Sequence, residues 1–234
     1  MKISLYQSPS SVCGYYEDKQ CINHVADPEA VVSKEHYQLL INSGFRRAGE
    51  YIYRPACVDC DLCQSTRIDC RSFQLSKSQK RILKRNNDLE FEFLDLARTT
   101  NSDALYRRYI SWKHTGGLMD NMEDDPFDGF FDCSWMQVKM LQIKSDGVIV
   151  AQMITDELPL GYSAVYSFYD PEYSQRSLGK FLILKLIELC QAHDLQFVYP
   201  GFWINGHPKM HYKAQFDSTE IFSGSSWNPF IPCP

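Results

Sequence analysis

Three cysteines stand at a fixed interval in "YRPACVDCDLCQSTRIDC": Cys57, Cys60 and Cys63 form a C-x2-C-x2-C series. That spacing gathers three soft sulfur ligands on one tight loop, which suits zinc or an iron–sulfur cluster. A fourth ligand has to come from elsewhere, and Cys13 in "VCGYY", Cys21 and Cys70 are the candidates. The competing readings are an unmetallated, redox-sensitive loop and a set of small buried thiols, since free cysteine is among the most buried residue types.

A second group is electrostatic. In "SKSQKRILKRNNDL", Lys77, Lys80, Arg81, Lys84 and Arg85 follow i, i+3, i+4, i+7, i+8 spacing and share one face of a helix. Leu75, Ile82 and Leu89 mark the opposite side. Between positions 67 and 85 seven cations stand against one acid, Asp69. A charged face is most often plain solvated surface, but cations this close repel one another unless a polyanion binds. RNA is the natural counterpart, met through its phosphates.

The third group is "YSFYDPEYSQRSLGKF", where a strand gives way to a helix. Helix N-terminal amides at such a junction can cradle phosphates if small residues let the backbone approach. Arg176 and Gly179 fit that pattern, whereas Phe181 puts a ring where a small residue is needed. The pattern is that of an acyl-donor loop without its usual coenzyme, or of a plain helix start that carries an Arg. Further on, "GFWINGHPKMHYKAQF" mixes rings with Lys209, His211 and Lys213, and reads chiefly as core.

These groups need elements to hold them. A short helix at "EHYQLLINSG" ends at Gly44, and "YIYRP" is a strand stopped by Pro55. "NSDALYRRYISWKHTGG" is a helix with Ser102 or Asp103 near its N-cap and Gly116-Gly117 ending it, and "NMEDDPFDGF" is an acidic loop. Two strands flank Asp146-Gly147, a hairpin turn signal; then come the strand "YSAVYSFYDP", the helix "SLGKFLILKLIELCQAHDL" and the strand "QFVYPGFWI". Strand–helix–strand implies parallel neighbours joined by a right-handed crossover. With the hairpin this gives an α+β fold with a mixed sheet, as in the GNAT acyltransferases. Three segments are expected: a Cys-containing region over 1–75, a basic helix and linker over 76–100, and a GNAT-like domain over 101–234.

Bulk composition sets the limits. The 234 residues carry a net charge of −5, with 44% hydrophobic and 23% charged positions, ordinary for a globular protein and wrong for a globally basic nucleic-acid coater. The opening "MKISLYQSPSSVCGYY" lacks the apolar run of a secretory signal, and no stretch approaches the ~20 apolar residues that span a bilayer. A cytoplasmic setting with reduced thiols and no membrane partner is expected. Nine cysteines, an odd number, rule out complete disulfide pairing.

In order along the chain, "CGYY", "GFRRAGEYIYRPACVDCDLCQSTRI", "SQKRILKRNNDL", "SAVYSFYDPEYSQRSLGKFLIL" and "KMHYKAQF" resemble the successive blocks of the bacterial aspartate/glutamate leucyltransferases. These are short relatives of the arginyl-tRNA–protein transferases. The resemblance covers about Cys13 to Glu220. It implies an aminoacyltransferase that moves leucine from Leu-tRNA to the α-amine of proteins beginning with Asp or Glu, marking them for the N-degron pathway. Arginine as the donor amino acid, and a coenzyme A-dependent N-acetyltransferase, are the alternatives. It also implies Cys13, Cys57, Cys60 and Cys63 as ligands of zinc or an iron–sulfur cluster. Two short departures, "CGYYED" and "PGFWI", touch no ionisable position of the motif.

The implied reaction assigns roles. An aminoacyl ester is already activated, so the transfer requires no cofactor. The acceptor ammonium must lose a proton, and the expected base is Asp170 or a water it holds, with Tyr166 and Tyr169 lining the crevice; the equal alternative is that Asp170, before Pro171, is a simple turn residue. The acceptor carboxylate needs a cation, for which the planar fork of Arg176 or Arg54 is suited; Ser177, Gly179 and Lys209 complete the substrate site.

Overall fold

The computed structural model describes residues 3–113, 127–208 and 210–231. Lys209, assigned above to substrate binding, and Gly116-Gly117, expected to end a helix, lie outside the described residues. In chain order the first half holds β1 (Leu5–Gln7), β2 (Ser11–Val12), β3 (Gln20–Cys21), β4 (Asn23–Ala26), α1 (Lys34–Asn42), β5 (Arg46–Ala48), β6 (Tyr51–Pro55), β7 (Gln64–Asp69), α2 (Lys77–Arg85), β8 (Glu90–Asp95) and α3 (Thr100–Lys113). The second half holds β9 (Val138–Ser145), β10 (Val148–Leu158), β11 (Gly161–Tyr169), α4 (Leu178–Ala192), β12 (Phe197–Trp203), β13 (Thr219–Phe222) and β14 (Trp227–Pro229). No helix among the described residues is long and apolar enough to cross a membrane.

A large mixed sheet runs β14-β13-β7-β12-β11-β10-β9-β8, and a smaller one runs β1-β4-β6-β5. The hairpin and the strand–helix–strand unit form as the sequence predicts. Asp146 and Gly147 both take positive φ (49° and 77°) to turn β9 into β10, and β11 and β12 pair in parallel across α4. Four strands of the large sheet were not anticipated. β8 lies within the expected linker and forms the sheet edge, and β13 and β14 extend the other side. β7, from within the 1–75 segment, is threaded between β12 and β13 of the large sheet.

Side-chain alternation distributes β10 between two cores. Met153 packs with α4 residues such as Leu182 and Leu186, while its neighbour Ile154 packs with Leu105, Tyr106 and Tyr109 of α3. The sheet is thus covered by α4 on one face and α3 on the other. The third core lies beneath the smaller sheet, where Tyr37 and Ile41 of α1 meet Phe197 and Tyr199 of β12. Helix α3 begins before the expected cap: Thr99 Oγ1 accepts the Ser102 amide at 3.1 Å, and Ser102 turns inward. Gly161 is required where β11 and β12 meet, because any Cβ there would collide with the Phe197 carbonyl.

Two adjacent arginines on β5 bind the smaller sheet to the larger. Arg47 is 3% exposed and pairs with Asp156 of β10, itself 0% exposed, through Nη2–Oδ1 at 2.5 Å and Nε–Oδ1 at 2.9 Å. Ser163 Oγ donates to the other Asp156 oxygen at 3.2 Å, so the buried carboxylate is fully engaged. Removing one partner of such a pair strands the other's charge. Arg47→Met should cost about 3–5 kcal/mol in urea unfolding, and adding Asp156→Leu should recover most of the loss.

Candidate active site

The large sheet opens where β11 and β12 part. Their register runs from Gly161↔Phe197 to Ser163↔Tyr199 and stops. Beyond that point β11 follows β10, while β12 follows β7 from Gly201 to Trp203. Pro200 lies at the break. It has no N–H for a ladder, and the β12–β7 register shifts between Val198 and Gly201.

Arg46 occupies the throat of this gap. Its Nη1 donates to the Tyr199 carbonyl at 3.0 Å and its Nη2 to the Ala164 carbonyl at 2.5 Å, one from each diverging strand. Lys213, in the 3₁₀ turn His211–Ala214, donates from Nζ to the Phe202 carbonyl at 3.1 Å. Its stem is partly exposed but its ammonium is enclosed. Burial, reinforced by the Arg46 charge, pulls its pKa from the ordinary 10.5 to about 7. Neither residue had a role in the sequence reading. The available signal was Arg46-Arg47 itself: neighbours on a strand point to opposite faces, so one of them must face packed protein.

At the outer end of β11, Tyr166 and Tyr169 meet α3. Tyr169 lies 5.1 Å from Tyr109 and 5.9 Å from the partly exposed Trp112, ring to ring, and Tyr166 stands 6.1 Å from Tyr106. Burial raises the phenol pKa of Tyr166, Tyr169 and Tyr109, and pushes Tyr212 up to about 12. These phenols keep their protons at neutral pH. Asp170 is 7% exposed and committed on both oxygens. Oδ1 accepts the Glu172 amide at 3.1 Å, capping the 3₁₀ turn Pro171–Arg176, and Oδ2 pairs with Arg108 of α3 at 2.9 Å.

The loop after that turn is tied to the basic helix. Arg176 pairs with Asp88 at 2.7 Å, and its carbonyl accepts from Asn86 Nδ2 at 3.0 Å. Arg85 Nη1 reaches the Gln175 carbonyl at 2.5 Å. Ser177 takes φ 57° and caps α4 through its backbone alone. A Cβ on Gly179 would lie 3.8 Å from Tyr169, ordinary contact. Phe181 is 4% exposed and packs in the α4 core, so its ring does not fill the loop as the sequence reading supposed. Arg54 has its described partners elsewhere: it sits on β6, donating to the Ser43 carbonyl at 2.9 Å beside the Phe45 ring. On α2, opened by a Ser76–Gln79 capping box, Lys77, Lys80, Arg81, Lys84 and Arg85 are all exposed.

Cys13, Cys21, Cys57, Cys60 and Cys63 converge on one cavity of about 220 Å³, with Tyr15, Tyr53 and Phe202 in its wall. Burial and then the neighbouring thiols push the Cys63 pKa up to about 12. Cys70 does not belong to this set. It is buried in the main core, where it donates to the Ile68 carbonyl. Soft donors facing one space fit the chemistry of zinc or an iron–sulfur cluster. Among the described residues no three His, Cys, Asp or Glu side chains stand grouped as a metal site.

Family models for the arginine-tRNA-protein transferases match residues 11–81 (N terminus) and 101–223 (C terminus). A relative from Saccharophagus degradans, named aspartate/glutamate leucyltransferase, is 35% identical over 98% of each chain. One of the same name from Alcanivorax borkumensis is 36% identical over 96% of this chain and 93% of its own. The C-terminal domain of a putative lysylphosphatidylglycerol synthetase from Agrobacterium fabrum has a similar fold, with a TM-score of 0.51 at 13% identity over 72% of this chain and 58% of that one.

The depressed pKa of Lys213 has a measurable sign. Between about 7 and 10.5 the unfolded chain holds a proton that the folded one releases, so this group costs stability as pH falls. Lys213→Met should match wild type above pH 10.5, then exceed it by a margin that grows down to about pH 7 and levels off below. Urea midpoints across that range check this.

Proposed function

The chain belongs to the arginine-tRNA-protein transferase family, and from that premise we propose that it transfers leucine from Leu-tRNA to the α-amine of proteins beginning with Asp or Glu. The observation that carries this reading is identity of about 35% over nearly the whole chain to relatives named for that activity. The product would begin with leucine, the mark read by the N-degron pathway.

The reaction is acyl transfer at the β11–β12 gap, on a GNAT-like scaffold. The hairpin, strand, helix and strand in order, with one parallel pair that parts midway, support that scaffold. The amine nitrogen attacks the ester carbonyl, the tRNA ribose oxygen leaves, and the amine's proton passes to a base or water. Because the ester is activated, holding two bound reactants in line supplies much of the rate, up to ~7–11 kcal/mol of barrier. Tyr166 and Tyr169, protonated at the rim, are suited to donate to the developing oxyanion. Asp170 retains its place as proton acceptor only through its outer lone pairs; its firm partners make it the residue that fixes Arg108 beside the crevice. The loop Arg176–Gly179 receives the acyl end through its backbone, and α2 receives the tRNA body.

On the thiol side, Cys13, Cys57, Cys60 and Cys63 would hold the metal or cluster that the family resemblance implies, with Cys21 beside them. Bound there, it would neutralise thiolates and brace the loop. The reacting atoms need nothing from it.

The direct test supplies Leu-tRNA or Arg-tRNA with an Asp-starting peptide and follows the labelled amino acid; leucine transfer is expected, and transfer from neither donor would overturn the assignment. Lys80→Glu with Lys84→Glu should raise KM for Leu-tRNA roughly tenfold and flatten its salt dependence. For the thiols, metal analysis of anaerobically purified protein should find stoichiometric zinc or iron that Cys60→Ser loses, together with a lower Tm.

A further inference from the structure

We infer that Arg46 and Lys213 form the pocket for the acceptor's acidic side chain, with a carboxylate oxygen seated against Gly201 between the two cations. The assignment rests on the transfer reading above and names the residues that give it its selectivity.

The argument begins with charge. Arg46 and its neighbour Arg47 are both buried, at 7% and 3% exposure. Arg47 has the Asp156 carboxylate; among the described residues Arg46 has the carbonyls of Tyr199 and Ala164, and Lys213 that of Phe202. Among the described residues no carboxylate pairs with Arg46 or Lys213. A proton on Lys213 beside the Arg46 charge is costly unless an anion joins them. Spare donors are present too, since a guanidinium carries five N–H groups and an ammonium three.

The two cations meet at one place. Residue 201 is glycine at φ +101°, and a Cβ built there would lie 3.2 Å from Lys213 Nζ and 3.7 Å from Arg46 Nη2. Both cations therefore converge on the same face of Gly201, and the missing side chain leaves that face of the backbone bare. Thr66 Oγ1 holds the spot in place, donating to the Gly201 carbonyl at 2.7 Å. Neither cation expected from the sequence is so placed. Arg176 already carries Asp88, and Arg54 lies on the smaller sheet against Phe45. A carboxylate suits a narrow throat between two strands, whereas RNA phosphates have the exposed cations of α2.

The experiment compares peptides that begin with Asp and with Asn, which match in shape and differ in charge. Wild-type enzyme with Leu-tRNA should favour Asp. Lys213→Met should cut the preference roughly tenfold or more by raising the acceptor KM, with KM for Leu-tRNA unmoved, and Lys213→Arg should restore it. An unchanged preference overturns the pocket. So does an equal fall in kcat for both peptides, which would mark an oxyanion role, or a rise in KM for Leu-tRNA, which would mark an RNA phosphate contact. Fluorescence anisotropy of the same labelled peptides, without tRNA, separates this inference from the reading beneath it. If no loaded tRNA supports transfer, the function falls, yet tighter binding of Asp over Asn that Lys213→Met abolishes still supports the pocket. Equal binding of both peptides by wild type overturns the pocket and leaves the transfer standing.

Discussion

Everything at the centre of this molecule follows from one broken ladder of hydrogen bonds. β11 and β12 pair for three residues and then part, leaving backbone carbonyls without the neighbours a continuous sheet would provide. Buried carbonyls must be satisfied, and Arg46 satisfies one from each strand. The guanidinium acts as a spacer that hydrogen-bonds like a strand while bringing a charge into the protein. A longer ladder would close the gap and a gap without Arg46 would leave its carbonyls unmet, so the opening and the arginine require each other.

The remaining parts are arranged around that opening. The thiol cavity backs onto it: Phe202 lines the cavity with its side chain and holds Lys213 with its carbonyl, and Tyr53 feels both Arg46 and Cys63 electrostatically. On the far side, Asp88, Asn86 and Arg85 grip the Gln175–Arg176 turn, so the basic helix and the rim loop are one mechanical piece. A helix that meets a long, charged ligand is thereby fixed relative to the place where that ligand's end must arrive. Arg108 and Asp170 do the same for α3 and β11.

Much of this was legible in the sequence because it is written in local patterns. The α2 face, the Asp146-Gly147 turn and the strand–helix–strand unit depend on spacing over a few residues, and each formed where expected. Family blocks carried the broad chemistry. What spacing could not show were partners distant in the chain: that Arg176 meets Asp88, that Cys70 leaves the other cysteines for the core, or that Lys213 points inward to a carbonyl eleven positions earlier. Phe181 misled for the same reason. Its position near the loop is visible in sequence; its rotation into the core is decided by α4 packing. β8 was missed because "EFEFLD" alternates for only six residues after a strongly helical stretch.

The placement of β7 reaches beyond catalysis. This strand begins at Gln64, directly after Cys63, and both of its partners arrive more than a hundred positions later in the chain. A fragment starting at residue 101 would therefore lack an interior strand and bare the flanks of β12 and β13, while its upstream complement would carry an orphan. The two halves recognised by separate family models are consequently halves of a description and not of a molecule: they cannot be shuffled, truncated or expressed apart as self-sufficient modules, and the chain has to be inherited whole.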